Sequence, residues 1–326
     1  MAGARDAAKP SVAVIVVNYN SGGMLARCLD ALARQTVPAW RVIVVDNASS
    51  DGSAEGVEGR YSNVVLVRAP GNLGFAAGNN LALRHAQGAD WIALLNPDAF
   101  PEPDWLEQFV VAAEAAPGFS FFGCRMLLAD SPQFLDGTGD AYHVSGAAWR
   151  RDHGVPAERG IKEPGEIFAP CAAAALYLRA ALEEVGGFDE RYFCYHEDVD
   201  LGFRLRLRGH RCRYVPQAVV HHVSSGITGR RSDFATYHGH RNLVWTYVKD
   251  MPGILFWLLL PTHLAMNLVS IAICALRGQL GVVLRAKRDA LAGLPAVLKQ
   301  RREIQARRKA GVGSLLAAMD WGLWRR

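Results

Sequence analysis

Cysteine is scarce and unpatterned: six residues, at 28, 124, 171, 194, 212 and 274, with no CxxC pair and no metal-like spacing. The pattern suits reduced, intracellular thiols better than a disulfide framework. A long apolar run at the N-terminus is missing too. The opening MAGARDAAKPSVAVIVVNYN holds only a six-residue apolar run before Asn18, a strand rather than a signal-peptide core. A cytoplasmic catalytic domain is the expectation. No GxGxxG follows that strand. The turn is NYNSGGML, and Gly22–Gly23 do not match the spacing that brings a pyrophosphate to a helix N-terminus. This weighs against a dinucleotide oxidoreductase, the runner-up class for a chain of this pattern. No internal repeat is visible.

What the chain has in quantity is apolar surface and, late on, positive charge. Half of its residues are hydrophobic and 21% are charged, enough for a large buried core. The net charge of +5 is unevenly spread: ten Lys or Arg stand between Arg277 and Lys309, against Asp289 and Glu303. Just before them lies MPGILFWLLLPTHLAMNLVSIAICAL, residues 251–276, without a formally charged side chain. An apolar segment followed by a basic one favours an anionic membrane surface over nucleic acid. Length permits a span, yet Pro261, His263 and Asn267 interrupt the run, so spanning the bilayer and lying on it both stay open.

The first hundred residues alternate regularly. SVAVIVV (11–17), RVIVVD (41–46), NVVLVR (63–68) and DWIALL (90–95) are short β-branched or apolar runs. Helix-like stretches at 22–34, 52–59 and 75–87 separate them, and 102–116 follows as a further helix. This is the pattern of βαβ units, a mostly parallel sheet flanked by helices. Residues 128–166, rich in Gly, Pro and charge, read as a long surface loop or flap. A strand and helix follow in FAPCAAAALYLRAALEEVGGF, then a helix in HEDVDLGFRLRLRGH closed by Gly209, paired short strands in RCRYVPQAVVHH, and a helix over 233–250.

Ligands bind open α/β sheets outside the carboxyl ends of the strands. Those ends read NYNSGG, DNASSDGS, GNLGFAAGNN and NPDA. Each alone is an ordinary turn; together at one edge they predict a shared site. Asp46 is placed to accept hydrogen bonds from a ribose. Asp98, after the fourth strand, is placed to hold a divalent cation against phosphate oxygens, the role the missing glycine turn leaves open.

VVNYNSGGMLARCLDAL, VIVVDNASSDGS, NLGFAAGNN, LLNPDA and GGFDERYFCYHEDVDLGFRLRLRG together resemble the inverting glycosyltransferases of family 2, most of all its rhamnosyltransferase-like bacterial members. The resemblance covers about residues 11–225. It implies a GT-A fold with a helical C-terminal appendage, a nucleotide-diphosphate sugar donor and Mg²⁺ or Mn²⁺ as cofactor. It also implies a nucleotide-sugar site of Val17, Asn18, Tyr19, Asn20, Asp46, Asn47, Asn72, Gly74, Phe75, Asn79 and Asn96. Asn96-Pro97-Asp98 stands where the family carries Asp-any-Asp, so the first acid is an amide here and Asp98 is left as the metal ligand. In VVHHVSSG the second histidine, His222, is the metal- or diphosphate-contacting one, with a core histidine as the alternative.

Glycosyl transfer needs a carboxylate to take the acceptor's hydroxyl proton, and HEDVDL offers three acids at a helix start. Capping the helix dipole is the bland alternative. By the resemblance Asp198 is the base, Glu197 orients it or binds acceptor hydroxyls alongside His196, and Asp200 is structural. The Gln-any-any-Arg-Trp motif of processive synthases is absent from YHGHRNLVWTY, which favours one sugar per encounter.

The expected organisation is a disordered segment 1–10, a GT-A domain 11–232 (nucleotide half 11–100, acceptor half 101–232) and a helical, membrane-associating region 233–326. The expected function is transfer of one sugar, with rhamnose from a deoxythymidine-diphosphate donor foremost, to a lipid-linked or polysaccharide acceptor at the cytoplasmic membrane face. A homo-oligomer stays open. The non-enzyme alternative is an inactive nucleotide-sugar-binding protein, at which only Asn96 hints.

Overall fold

Four continuously apolar runs, each long enough for one pass through a sheet covered on both faces, build the first half of the fold. In the computed structural model, which describes residues 10–224 and 232–322, they are β1 (Val12–Asn18), β2 (Arg41–Asp46), β3 (Val64–Arg68) and β4 (Trp91–Leu95). The expected disordered segment 1–10 lies outside the described residues except for Pro10. The strands pair in parallel in the order β3-β2-β1-β4. Alternate residues face opposite layers. Val14, Val16 and Val44 pack in one core with Leu25 and Leu29 of α1 (Met24–Ala33); Ile15, Ile43 and Val45 pack in another with Ala76 and Ala82 of α3 (Gly74–Leu83). Each such buried branched side chain contributes about 1.5–3 kcal/mol. The helix expected over 52–59 is only the single turn α2 (Val57–Arg60), because Gly52 and Gly56 take φ of +74° and +70°, which a helix cannot use.

Beyond β4 the order of strands leaves the order of sequence. After β5 (Ala99–Pro101) and α4 (Trp105–Ala115) come β6 (Phe121–Leu128), β7 (Ser131–Gly137), β8 (Asp140–Tyr142), β9 (Ala148–Arg150) and β10 (Gly165–Ile167). Then follow β11 (Ala174–Leu178), α5 (Arg179–Glu184), a 3-10 turn at Glu190–Tyr192, α6 (Glu197–Leu207) and β12 (Cys212–His222). Strand β11 runs antiparallel between β4 and β6, and β12 and β10 complete the main sheet.

Two expectations are corrected here. Residues 128–166 are a surface loop only in part: β7, β8 and β9 occupy much of 131–150, where Asp136, Thr138 and Asp140 to Ser145 are buried, while 151–164 are turns without a strand before β10. Residues 212–222 are not a pair of strands; β12 is one strand, bent where its register on β6 shifts between Val215 and Val219.

The C-terminal region is helical: α7 (Asp233–Asp250), α8 (Gly253–Leu276), α9 (Leu280–Ala292), α10 (Leu294–Ala306) and α11 (Val312–Ala318). Ser232 caps α7, its hydroxyl accepting from the Ala235 amide at 3.1 Å. Tyr247 and Met251 pack with Val199, Phe203 and Leu207 of α6 in a core of their own. So α7 braces the helix that opens with the three acids.

Candidate active site

The carboxyl ends of β1, β2 and β4 and the start of α6 face a common cleft of about 620 Å³. Val17, Tyr19, Asn47, Asn72, Gly74 and Phe75 line it, together with Asn96, Pro97 and Asp98 after β4 and with His196, Glu197, Asp198 and His222. Four of the expected residues do not line it. The Asn18 amide is turned to the Ser49 and Ser53 hydroxyls (3.1 and 2.9 Å). Asn20, at φ +48°, accepts from the Ser50 amide at 2.8 Å. Asp46 accepts from the Ser49 amide at 3.2 Å and lies 3.7 Å from Arg68. Asn79 donates to the Phe75 carbonyl at 2.9 Å. These four brace the loops whose backbones border the cleft. Asn47 does both: its Nδ2 donates to Asn72 and to the Gly74 carbonyl, each at 3.1 Å, while its Oδ1 accepts from the Leu73 amide at 2.9 Å.

Pro97 ends β4 and turns Asp98 toward β12. The Val223 amide donates to the Asp98 carbonyl at 3.0 Å, which places the neighbouring His222 beside the Asp98 carboxylate. His222 Nε2 is 3.3 Å from Asp98 Oδ1 and makes no hydrogen bond, although both side chains are buried. Its other ring nitrogen, Nδ1, meets Asp136 Oδ2 at 2.8 Å. A carboxylate behind a histidine, with the far nitrogen free beside a second carboxylate, is the donor set of a divalent metal site with its outer support. Asp98 and His222 therefore fit a metal. His221 faces away and meets Glu102 at 2.7 Å.

Asp198 also lines the cleft. Its Oδ1 accepts from the Val199 amide at 2.8 Å and its Oδ2 from the Ala172 amide at 3.3 Å. Ligand atoms of Asp198, Asp140 and Cys171 lie within 4.8 Å of one another. Arg150 reaches into this group, bonding Asp136 and lying 3.2 Å from Cys171 Sγ. A fixed guanidinium already supplies positive charge there, which argues against a second cation. Burial and then the Asp198 charge push the Asp140 carboxyl well up. Burial also raises Asp198, opposed by the Ala172 and Val199 amides and by Arg150. Of the pair, Asp198 has the partners that favour its anion, so Asp140 holds the proton. Glu197 is pushed well up by burial and by Asp198, and its Oε2 is buried without a partner. Burial, with His240 and Lys287 adding to it, lowers His196 to about 4, so its ring is neutral at pH 7.

Asp200 stays out of the cleft, paired with Arg204 at 2.8 Å and with Lys249. Sequence reasoning missed Asp136, Asp140 and Arg150, all within the stretch read as a loop. It also missed the aromatic wall of Phe193, Tyr195 and Phe234. The GTGD turn beside Asp136 and Asp140 was a signal of a buried turn, but nothing local tied it to His222, 86 residues away.

The family model described as Glycosyl transferase family 2 matches residues 13–186. Among curated proteins the chain is similar to an N-acetylglucosaminyl-diphospho-decaprenol L-rhamnosyltransferase of Mycobacterium tuberculosis, 33% identical over 247 residues, 69% of this chain and 80% of that protein. Among solved structures it is similar to GalNAc-T7 with UDP, GalNAc and Mn²⁺, at TM-score 0.61 and 15% identity, over 75% of this chain and 48% of that one. It is also similar to a mannosyltransferase of Pyrobaculum calidifontis in complex with GDP-Man and Mn²⁺, at TM-score 0.53 and 21% identity, over 95% and 86%.

Proposed function

The chain belongs to glycosyl transferase family 2, a nucleotide-sugar-dependent glycosyltransferase of GT-A fold, and on that premise we propose that it transfers one rhamnose, with inversion, to a lipid-linked saccharide acceptor. The observation that carries the reading is the cleft itself. Asp198, the Asp98–His222 pair and the Asn47, Asn72 and Gly74 loop residues all line it. The named relative acts on a diphospho-decaprenol-linked sugar, which supports the sugar and the lipid carrier.

In this reading the nucleotide lies along Val17, Tyr19, Asn47, Asn72, Gly74, Phe75 and Asn96, with Asn18, Asn20, Asp46 and Asn79 keeping those loops in shape. Asp98 and His222 would hold Mg²⁺ or Mn²⁺, which would supply positive charge for the departing diphosphate. Asp198 takes the proton of the acceptor hydroxyl as that oxygen attacks the anomeric carbon from the far face. The anomeric C–O bond to the diphosphate breaks, and the diphosphate leaves with the electron pair. Glu197, protonated, donates a hydrogen bond to the acceptor, with His196 beside it. Residues 233–326 bring this site to the anionic cytoplasmic face of the membrane, where a lipid-linked acceptor is presented.

The test is Asp198→Asn. It should lower kcat roughly 10²–10⁴-fold, the usual worth of a general base, with donor Kd unchanged. Wild-type turnover in that variant moves the base elsewhere. Absence of transfer and of donor hydrolysis in the unaltered enzyme, with donor still bound, would make it a binding protein instead.

A further inference from the structure

The backbone just before α6 is strained in an unusual density. Phe193, Tyr195 and His196 take φ of +64°, +68° and +65°, three non-glycine residues of four in a region such residues avoid. Phe193, with ψ of −63°, centres a γ-turn closed by the Cys194 amide on the Tyr192 carbonyl at 2.7 Å, the rarer and strained form. Glu197 and Asp198 follow directly. A strained turn of this kind persists only where its surroundings over-determine it.

Its carbonyls show what does so. Asn242, fully buried on α7, has its Nδ2 within 3.0, 3.0 and 2.7 Å of the carbonyls of Tyr192, Cys194 and Tyr195, its two N–H donors serving all three with one of them shared. Arg241 adds bonds to the Arg191 and Tyr192 carbonyls at 3.1 and 3.0 Å. From the other side, the Phe75 and Ala76 amides of α3 donate to the Phe193 carbonyl at 2.7 and 3.2 Å. There Gly74, at φ +78°, lies so close that a Cβ would meet Phe193 at 2.6 Å. One turn thus joins the nucleotide loop to the start of α6, and a single amide side chain holds three of its carbonyls.

We propose that Asn242 is a positioning residue for sugar transfer: it clamps the strained turn 192–196 so that Asp198 stays aimed into the cleft and in register with the loop at Gly74–Ala76. The inference rests on the reading of Asp198 as the base. Asn242→Asp keeps the shape but replaces the donor with an acceptor facing three carbonyls, and Asn242→Ser leaves one shorter donor.

Both variants should bind donor with little change. Asn242→Asp should lose roughly 100-fold in kcat, the scale of about a 1 Å misplacement, with Asn242→Ser between it and the parent. Amide exchange should quicken at Phe75, Ala76 and Cys194 while the strands of the sheet stay protected. Turnover at the parent rate in Asn242→Asp overturns the proposal. So does a loss of turnover that follows a uniform rise in exchange across the whole chain, since that marks a role in stability alone. Should Asn242→Asp fail to fold, the exchange and kcat of Asn242→Ser decide on the same criteria. Asp198→Asn run in parallel separates the two readings: an active Asp198→Asn sinks the base assignment, whereas an inactive one beside fully active Asn242 variants sinks only this inference.

Discussion

Asp136 accepts from His222 and from Arg150, and lies 3.3 Å from His153. Burial alone would raise its carboxyl, but those hydrogen bonds and the Arg150 charge hold it well below the usual carboxylate range. The anion holds a proton on His222 Nδ1; burial lowers the imidazole's pKa, but Asp136 and Asp98 outweigh it and raise it. Nε2 would be the nitrogen left for a metal, which would displace its proton. Asp136→Asn should therefore weaken Mn²⁺ binding about 10–100-fold, read directly by titrating the free-ion electron paramagnetic signal with nucleoside diphosphate present. Unchanged Mn²⁺ affinity would take the metal away from His222. At this scale the sequence was half legible. Asp98, Asp198 and His222 stand in short recognisable strings, so they could be named in advance. Asp136 and Arg150 could not, because their meaning comes from partners that the fold brings from far along the chain.

The same limit appears at the scale of elements. β2 was expected at 41–46 and α7 at 233–250, and both are found there, since each has a local pattern and a sharp stop. The three-residue strands β8, β9 and β10 are too short to show periodicity, and their turns made the whole segment read as loop. Another feature invisible in the pattern is the buried charge layer between α6 and α7. Lys249, with its side chain almost wholly buried, meets Asp189 at 2.7 Å and also Asp200, which Arg204 shares. Removing one partner of a buried pair strands the others, at a cost of about 3–5 kcal/mol. Lys249→Met should lower the urea midpoint accordingly, with no change in donor Kd in the fraction that remains folded. The pH dependence has a definite sign. Burial raises Asp189, but Arg191 and Lys249 outweigh it and hold its carboxyl low. Its stabilisation is therefore present above the unfolded-state value of about 4 and is lost as pH falls toward the folded one. The urea midpoint of the parent should drop below about pH 4, and the Lys249→Met midpoint should drop less. Equal acid sensitivity in both would place the acid-labile group elsewhere.

For the molecule as a whole, the proposed membrane contact of the C-terminal region depends on how α8 is packed. α8 is the one helix among the described residues long and apolar enough to cross a bilayer, yet it is built inside out for a water-facing helix. Its packed stripe carries the polar groups: His263 stacks on Tyr247 with centroids 3.9 Å apart and reaches the Ser145 carbonyl at 2.8 Å, and Asn267 and Ser270 follow on the same face. Its outer face is apolar, with Trp257, Leu258, Leu268 and Leu276 at 71, 66, 68 and 89% exposure, and Leu284 and Leu291 of α9 are also exposed. Arg277, Arg285 and Arg288 stand exposed along the same two helices. A helix fastened along one face to a folded domain cannot also pass through a bilayer. Apolar faces ringed by arginine suit the headgroup boundary instead. The expectation is a helix lying in the membrane plane: alkaline carbonate should extract the full chain from membranes, and vesicles containing anionic lipid should bind it far better than neutral ones. Replacing Trp257, Leu258 and Leu268 together by Glu should abolish sedimentation with anionic vesicles and leave Tm and turnover on a water-soluble acceptor analogue unchanged, because none of the three packs in the core. Resistance to carbonate extraction would instead mean that α8 leaves the domain and spans. Undiminished vesicle binding by the triple variant would move the lipid contact to another face of the molecule.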